Sequence, residues 1–84
     1  MTTAALPLVY SATWCGHCHR LKAQLDRAGI AYRQIDVDEE PSVLPKLEEL
    51  NDGEWIIPTV EFSDGTALVN PSATAVADKL RALG

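Results

Sequence analysis

The amino-acid sequence predicts an α/β protein with a mixed four-stranded sheet and the element order β-α-β-α-β-β-α, forming one domain over residues 1–84. Three observations support this class. Apolar residues recur at helical spacing from Cys18 to Ala28. Apolar and polar residues then alternate from Ile30 to Val37, which is typical of a strand. Further along, Ser63-Asp64-Gly65 separates two short strand-like runs, a pattern that indicates a hairpin.

The first half of the chain predicts a strand, a helix and a second strand. The first strand is expected from Leu6 to Ser11, and Ser11 and Thr13 are expected to supply capping oxygens to the helix. Gly29 is the expected end of that helix. Its apolar stripe comprises Cys18, Leu21, Leu25 and Ala28. Since so few residues separate the two strands, a right-handed parallel crossover is expected.

A second, shorter helix is predicted after an acidic run over residues 36–40, which we interpret as a solvated loop. Ser42 is the expected cap, and Pro45 is tolerable only in the first turn. Asn51-Asp52-Gly53 is expected to end this helix. Its apolar stripe comprises Val43, Leu44, Leu47 and Leu50.

The last third of the chain predicts a hairpin and a third helix. One strand is expected from Ile56 to Phe62 and its return strand from Thr66 to Val69. Asn70 is the expected cap of the helix, with Pro71 at the first helical position. The apolar stripe of this helix comprises Ala73, Val76, Ala77, Leu80 and Leu83.

The composition and charge limit the classes of function. The chain is 46% hydrophobic and 23% charged, which argues against disorder, and its net charge of −5 argues against nucleic-acid binding. The charge is uneven, since residues 1–35 carry +3 and residues 36–84 carry −8. The run Met1 to Tyr10 lacks the pattern of a signal peptide, and no segment is long and apolar enough for a membrane helix. We therefore expect a cytoplasmic monomer without membrane contact.

Both cysteines of the chain lie in Trp14-Cys15-Gly16-His17-Cys18, between the first strand and the first helix. At the N-terminus of a helix, free backbone N–H groups and the helix dipole favour a thiolate, which makes Cys15 the expected nucleophile. Cys18 lies one turn further on and can attack a mixed disulfide formed at Cys15. A disulfide closing so small a ring would stabilise the fold little, so redox chemistry or metal binding is favoured over a structural role.

Three other functions match part of this motif. Residues 15–19 match the haem-attachment pattern CxxCH, but the expected strands and the absence of a methionine other than Met1 argue against a cytochrome. Two cysteines and two histidines could bind zinc, but all four lie within five residues, whereas a structural site closes a longer loop. The third interpretation is a binding module in which the cysteines have no chemical role. We expect no metal and no tightly bound cofactor.

The cysteine motif, Ile57-Pro58-Thr59-Val60 and Asn70-Pro71-Ser72 together resemble the thioredoxin fold in its small glutaredoxin form, and within it the mycoredoxins. The resemblance implies a thiol–disulfide oxidoreductase that reduces mixed disulfides between proteins and mycothiol, with mycothiol as co-substrate. The alternative it leaves open is a dithiol electron donor to a reductase, recycled by a flavoprotein disulfide reductase. The partners implied are mycothiolated or disulfide-containing proteins.

The resemblance also implies which residues meet the substrate. Cys15 and Cys18 are implied as catalytic. Pro58 is expected to be cis and close to Cys15, leaving the backbone of Ile57 free to pair with the substrate. Contacts with the substrate are further expected from Trp14, Gly16, His17 and Asn70, and less strongly from Trp55. His19 is expected to be a surface residue.

One departure from the glutathione-using relatives concerns the low-molecular-weight thiol. Those proteins typically carry Gly-Gly and an Asp after the second hairpin strand, where this sequence has Leu68-Val69-Asn70-Pro71-Ser72. Without the glycines a close backbone approach is harder, and without the acid an ammonium group loses its partner. Glutathione is therefore less favoured than mycothiol.

Overall fold

The computed structural model describes residues 6–83 and confirms the predicted α/β class and element order. Residues 1–5 and 84, which the single-domain prediction includes, lie outside the described residues. A short 3₁₀ turn, Pro41–Val43, precedes the second helix. The other elements are β1 (Leu8–Ser11), α1 (Gly16–Arg27), β2 (Arg33–Asp36), α2 (Leu44–Leu50), β3 (Thr59–Glu61), β4 (Ala67–Val69) and α3 (Ala73–Leu83).

The four strands form one mixed sheet in the order β2-β1-β3-β4. β1 and β2 are parallel, with Ser11 opposite Asp36, as the predicted crossover requires. β3 is antiparallel to both β1 and β4. Because β1 is central and leads into α1, the loop that carries the cysteines leaves the sheet from a strand that is hydrogen-bonded on both sides.

Alternate residues of β1 face two separate apolar cores. Val9 faces α1 and α3, where it packs with Leu21, Leu25 and Val76. Tyr10 faces the opposite side of the sheet, and its cluster consists of Tyr10, Ala12, Cys15, Cys18, Val37 and Leu47. We call this second set the cysteine cluster. Since it includes Leu47 of α2, the packing of α2 against the sheet bears directly on the cysteines.

The cap and the buried face of α1 differ from the predicted ones. Neither Ser11 nor Thr13 caps the helix; the cap is Cys15, whose sulfur accepts the backbone N–H of Cys18. Ala28 is exposed, so the buried stripe consists only of Cys18, Leu21 and Leu25. The predicted end is confirmed, because Gly29 follows the last helical residues with φ of +73°, a conformation that glycine adopts without strain.

The predicted caps of the other two helices are wrong. Ser42 lies within the 3₁₀ turn, and no side chain caps α2. Asn70 has φ of +46° and does not cap α3; instead, the Ser72 hydroxyl accepts the backbone N–H of Ala75 at 3.1 Å. Pro71 therefore precedes α3 rather than beginning it. Several side chains near each helix start could act as a cap, and the backbone path of the folded chain determines which of them does so.

The strands are shorter than predicted, but the hairpin is in the predicted place. Ser63-Asp64-Gly65 forms the turn, in which the Gly65 N–H donates to the Phe62 carbonyl at 3.0 Å and Gly65 has φ of +87°. The Phe62 N–H donates to the Thr66 carbonyl at 2.8 Å. None of the helices described between residues 6 and 83 is long and apolar enough to cross a membrane.

Replacing Leu47 tests how much stability the cysteine cluster contributes. Leu47 is fully buried and joins α2 to the sheet, so Leu47→Ala should lower the free energy of unfolding by about 2–5 kcal/mol through lost burial and the cavity left behind. Urea unfolding followed by circular dichroism measures this. The exposed Glu49 of the same helix supplies the control, since Glu49→Ala should change the free energy by less than about 0.5 kcal/mol. Equal effects of the two substitutions would show that α2 is not packed as described.

Candidate active site

The loop between β1 and α1 places Cys15 at the start of the helix. After β1 ends, the Cys15 N–H donates to the Ala12 carbonyl at 3.1 Å, which closes a tight turn over residues 12–15. Cys15 is still extended, with φ of −93° and ψ of 110°, and Gly16 is the first helical residue. The position of Cys15 as the N-cap therefore follows from the length of this turn.

The Cys15 sulfur occupies the position that a capping oxygen usually takes. The backbone N–H of Cys18 points at Cys15 Sγ, with an N···S distance of 3.3 Å. An N–H donor and the positive end of the helix dipole both stabilise negative charge on that sulfur. Both cysteines are free thiols, and Cys15 is the more accessible, with 7% of its surface exposed against 0% for Cys18.

Cys18 is held in its protonated form. Burial raises the pKa of the Cys18 thiol to about 12, helped by its hydrogen bond with Cys15. A thiol with so high a pKa is a poor nucleophile at neutral pH. The two cysteines, although only three residues apart, are therefore chemically different in the reduced protein.

His19 stabilises the cysteine loop, a role that the sequence did not indicate. Its side chain is exposed, as expected, but Nε2 lies 2.6 Å from the Thr13 carbonyl oxygen. A carbonyl can only accept, so Nε2 carries a proton and donates it across the turn. His17, between the cysteines, is also exposed. Only the fold shows that residue 19 reaches back to residue 13.

The Ile57–Pro58 peptide bond is cis, as expected from the resemblance. Pro58 is buried, and Ile57 packs against the cysteine cluster. The buried Thr59 fixes this segment, since its hydroxyl donates to the Ile56 carbonyl at 2.5 Å and accepts from Asn51 Nδ2 at 3.3 Å. No local pattern in the sequence indicates that Thr59 and Asn51 support the site, because their side chains meet only in the folded chain.

Asn70 and His17 lie on the same side of the site. The Asn70 N–H donates to the Pro58 carbonyl at 2.8 Å, which ties the start of the last connection to the cis-proline segment. A depression of about 190 Å³ lies next to it. Its lining comprises His17, Arg20, Leu21, Gln24, Asn70, Pro71 and Ser72. A larger depression, of about 510 Å³, lies beside Leu8 at the other end of β1 and contains no cysteine.

The remaining expected contact residues are all exposed. Apart from its neighbours in the chain and the backbone of its own helix, Gly16 has no protein atom within 4 Å of where a Cβ would lie, so the space above it is open. Trp14 is 63% exposed, and its indole N–H donates to Asp38 Oδ2 at 2.8 Å. Trp55 is 45% exposed in the connection after α2. Within residues 6–83 no three His, Cys, Asp or Glu side chains converge as a metal site would require.

A thiol at a helix N-terminus whose sulfur receives a backbone N–H, next to a buried and protonated second thiol, can exchange disulfides with other molecules. The sequence profile of the glutaredoxin family matches residues 8–66. The chain therefore belongs to the glutaredoxin family, and it is a thiol–disulfide oxidoreductase.

Relatives of known sequence are similar over almost the whole chain. Mycoredoxin 1 of Corynebacterium glutamicum is 41% identical over 75 residues, which cover 89% of this chain and 92% of that protein. A Mycobacterium tuberculosis protein assigned to the glutaredoxins is 42% identical over 80 residues, with 95% and 94% covered. The resemblance to mycoredoxins is thereby confirmed.

Solved structures confirm the thioredoxin fold in its glutaredoxin form. The glutaredoxin of Archaeoglobus fulgidus superposes with a TM-score of 0.75 at 23% identity, covering 92% of this chain and 87% of that one. Buckwheat glutaredoxin in complex with glutathione superposes with a TM-score of 0.65 at 28% identity, covering 89% and 67% respectively.

The difference between the two thiols predicts selective alkylation. Iodoacetamide at neutral pH should modify Cys15 alone in the reduced protein, because Cys18 stays protonated and buried. Cys18 should become reactive only as the pH rises towards about 12. Peptide mass spectrometry over a pH series measures both sites. Comparable labelling of the two cysteines at pH 7 would contradict the assignment of Cys18 as the protonated partner.

Proposed function

We propose that the protein reduces mixed disulfides between protein clients and mycothiol, with Cys15 as the nucleophile. The observation that carries the proposal is the position of Cys15 as the helix cap, with its sulfur receiving the Cys18 N–H while Cys18 keeps its proton. The choice of mycothiol is supported by the similarity to Mycoredoxin 1 and by the sequence Asn70-Pro71-Ser72 in place of a Gly-Gly-Asp pattern.

The proposed reaction consists of two thiol–disulfide exchanges at one sulfur. The Cys15 thiolate attacks the mycothiol sulfur of the mixed disulfide, a bond forms between these two sulfurs, and the client leaves as a thiolate that takes up a proton. The thiolate of a second mycothiol then attacks the mycothiol sulfur bound to Cys15 and releases the Cys15 thiolate. The client sulfur is reduced to a thiol, the second mycothiol is oxidised, and it leaves joined by a disulfide to the mycothiol that came from the client.

The dithiol route is the second candidate. Cys18 would lose its proton and attack the Cys15 sulfur, expelling mycothiol and leaving an intramolecular disulfide. A flavoprotein reductase supplying two electrons would then restore the two thiols. The raised pKa of Cys18 disfavours this step in the resting protein, because the attacking group must first be deprotonated. We therefore propose the route through Cys15 alone as the main one.

Two surfaces beside Cys15 are proposed to bind the substrate. The backbone of Ile57, before the cis-proline, is proposed to pair with an extended segment of the substrate. The depression that contains His17 and Asn70 presents amide and hydroxyl groups, including Gln24 and Ser72, that suit the hydroxyl groups of a sugar-linked thiol. Trp14 and the open space over Gly16 complete the proposed contacts.

The proposed partners are mycothiolated or disulfide-containing proteins, and the proposed compartment is the cytoplasm. Two unpaired thiols that must be regenerated as thiols function in a reducing environment. We propose that the protein acts as a monomer and needs no tightly bound cofactor, since the second mycothiol is the reductant.

Replacing each cysteine separates the two routes. Cys15→Ser should abolish the reduction of a mycothiolated peptide, because no other nucleophile is present at the helix cap. Cys18→Ser should retain most of the activity, since the route through Cys15 alone does not use Cys18. Release of a fluorescent peptide thiol measures both variants. Complete loss of activity in Cys18→Ser would refute the single-cysteine route and favour the dithiol one.

A comparison of reductants tests which low-molecular-weight thiol the protein uses. We expect turnover with mycothiol to exceed turnover with an equal concentration of glutathione by about tenfold or more, which corresponds to about 1.4 kcal/mol of differential stabilisation. Thioredoxin reductase with NADPH should support less turnover than mycothiol. Coupled assays on one mixed-disulfide substrate give all three rates. Equal rates with the two thiols would contradict the proposed specificity for mycothiol and would indicate a glutaredoxin activity that does not discriminate between them.

A further inference from the structure

We propose that Asp38 is a positioning and specificity-determining residue, which holds the indole of Trp14 beside Cys15 and disfavours small thiols that carry a carboxylate. This inference rests on the proposed use of Cys15 to exchange mixed disulfides of small thiols. Asp38 lies in the acidic run that the sequence indicated only as a solvated loop.

The conformation of that loop is set by a buried carboxylate. Asp36 is 7% exposed at the end of β2, and its Oδ1 accepts the backbone N–H of Asp38 at 2.8 Å and that of Glu39 at 3.3 Å. The Asp36 carbonyl accepts the Glu40 N–H at 2.9 Å. Three backbone donors are thus satisfied by one residue, and the direction of the Asp38 side chain is determined by this turn.

The same loop lies next to the cysteine loop because β1 and β2 are parallel. Just beyond the paired residues, the Val37 N–H donates to the Ser11 carbonyl at 2.9 Å. The chain that follows β2 therefore runs beside the chain that follows β1. This arrangement allows the Asp38 carboxylate to accept the Trp14 indole N–H at 2.8 Å, across 24 positions of sequence.

The hydrogen bond to Asp38 explains how the exposed ring of Trp14 is held in place. An indole that is 63% exposed has little packing to hold it, yet its one polar group is bound to a carboxylate. The ring is therefore restrained while its surface remains available to a molecule bonded to Cys15, the next residue. A restrained ring loses less conformational entropy on binding a substrate than a free one.

The charge of Asp38 adds a second effect. The exposed Asp38 carboxylate is bonded to Trp14, whereas Arg20 lies in the depression on the His17 side. A small thiol held against Trp14 with a carboxylate close to its sulfur is repelled by the Asp38 carboxylate. An uncharged thiol in the same position is not.

Three variants separate the hydrogen bond from the charge. Asp38→Asn keeps an oxygen acceptor for the indole N–H and removes the charge, Asp38→Ala removes both, and Trp14→Phe removes the donor and keeps the charge. Glu40→Gln is the matched control, since it removes one negative charge from the same loop without touching the Trp14 bond. All variants carry Cys18→Ser, so that only the first exchange is observed.

The substrates are two mixed disulfides of one fluorescent peptide, formed with N-acetylcysteine and with N-acetylcysteine amide, which differ by a single carboxylate. In a single turnover the Cys15 thiolate bonds to the small-thiol sulfur, and the peptide thiolate leaves. Each ratio of rates is divided by the same ratio measured with dithiothreitol, which corrects for intrinsic reactivity. Mass spectrometry verifies which half remains on Cys15.

We expect the parent protein to prefer the amide by about two- to fivefold, the range for one exposed charge interaction. This preference should disappear in Asp38→Asn and in about 1 M salt, where exposed charges are screened, and it should persist in Glu40→Gln. No preference in the parent, or an unchanged preference in Asp38→Asn, would overturn the specificity role.

The positioning role has its own measurement. In a Trp55→Phe background Trp14 is the only tryptophan, so time-resolved fluorescence anisotropy reports its ring motion. Fast motion should increase in Asp38→Ala and remain at the parent level in Asp38→Asn, and the substrate concentration for half-maximal rate should rise in Asp38→Ala for both disulfides. Unchanged ring motion in Asp38→Ala would overturn the positioning role.

These outcomes are distinguishable from those that test the proposed function. Neither disulfide contains mycothiol, so a preference that depends on Asp38 can be found even if the protein fails to reduce mycothiolated clients. Conversely, a protein that reduces mycothiolated clients but shows no dependence on Asp38 keeps the proposed function and loses this inference.

Discussion

The hydrogen bond from the Cys18 backbone to the Cys15 sulfur is the interaction on which the chemistry of this protein depends. It requires Cys15 to be the last extended residue before α1, and that position is set by the tight turn over residues 12–15. This tight turn is anchored at one end by the central strand β1. It is also stabilised by the hydrogen bond between His19 Nε2 and the Thr13 carbonyl. A sulfur displaced by one residue would lose both the N–H donor and the end of the helix dipole.

The same geometry makes the two cysteines unequal. Cys15 lies at the rim of the cysteine cluster, while Cys18 points into it and shares the apolar environment of Leu47 and Val37. Burial penalises a charged sulfur, so the inner thiol keeps its proton and the outer one reacts. The site of this protein therefore depends on the packing of α2 as well as on the cysteine motif, because Leu47 of α2 belongs to the apolar cluster in which Cys18 is buried.

The sequence predicted the type and order of the elements more accurately than the residues at which they begin and end. Apolar periodicity, strand-forming residues and turn signals located the α-helices and strands described between residues 6 and 83, but not the 3₁₀ turn Pro41–Val43. Caps were mispredicted at Ser11, Thr13, Ser42 and Asn70, because several side chains near each helix could cap it and the path of the chain selects one. Ala28 fitted the stripe of α1 but is exposed, and only Cys18, Leu21 and Leu25 of that stripe are buried.

By itself, the sequence determined that two thiols lie one turn apart between a strand and a helix, that the protein is acidic around a more basic cysteine-bearing helix, and that a proline follows Ile57. Those are properties of neighbouring residues, which local spacing encodes. Only the tertiary structure decided that Trp14 meets Asp38 and that Asn70 binds the carbonyl of Pro58. The physical reason is that hydrogen bonds and burial between distant residues depend on strand order and on the parallel pairing of β1 with β2, which bring separate loops to the same end of the sheet.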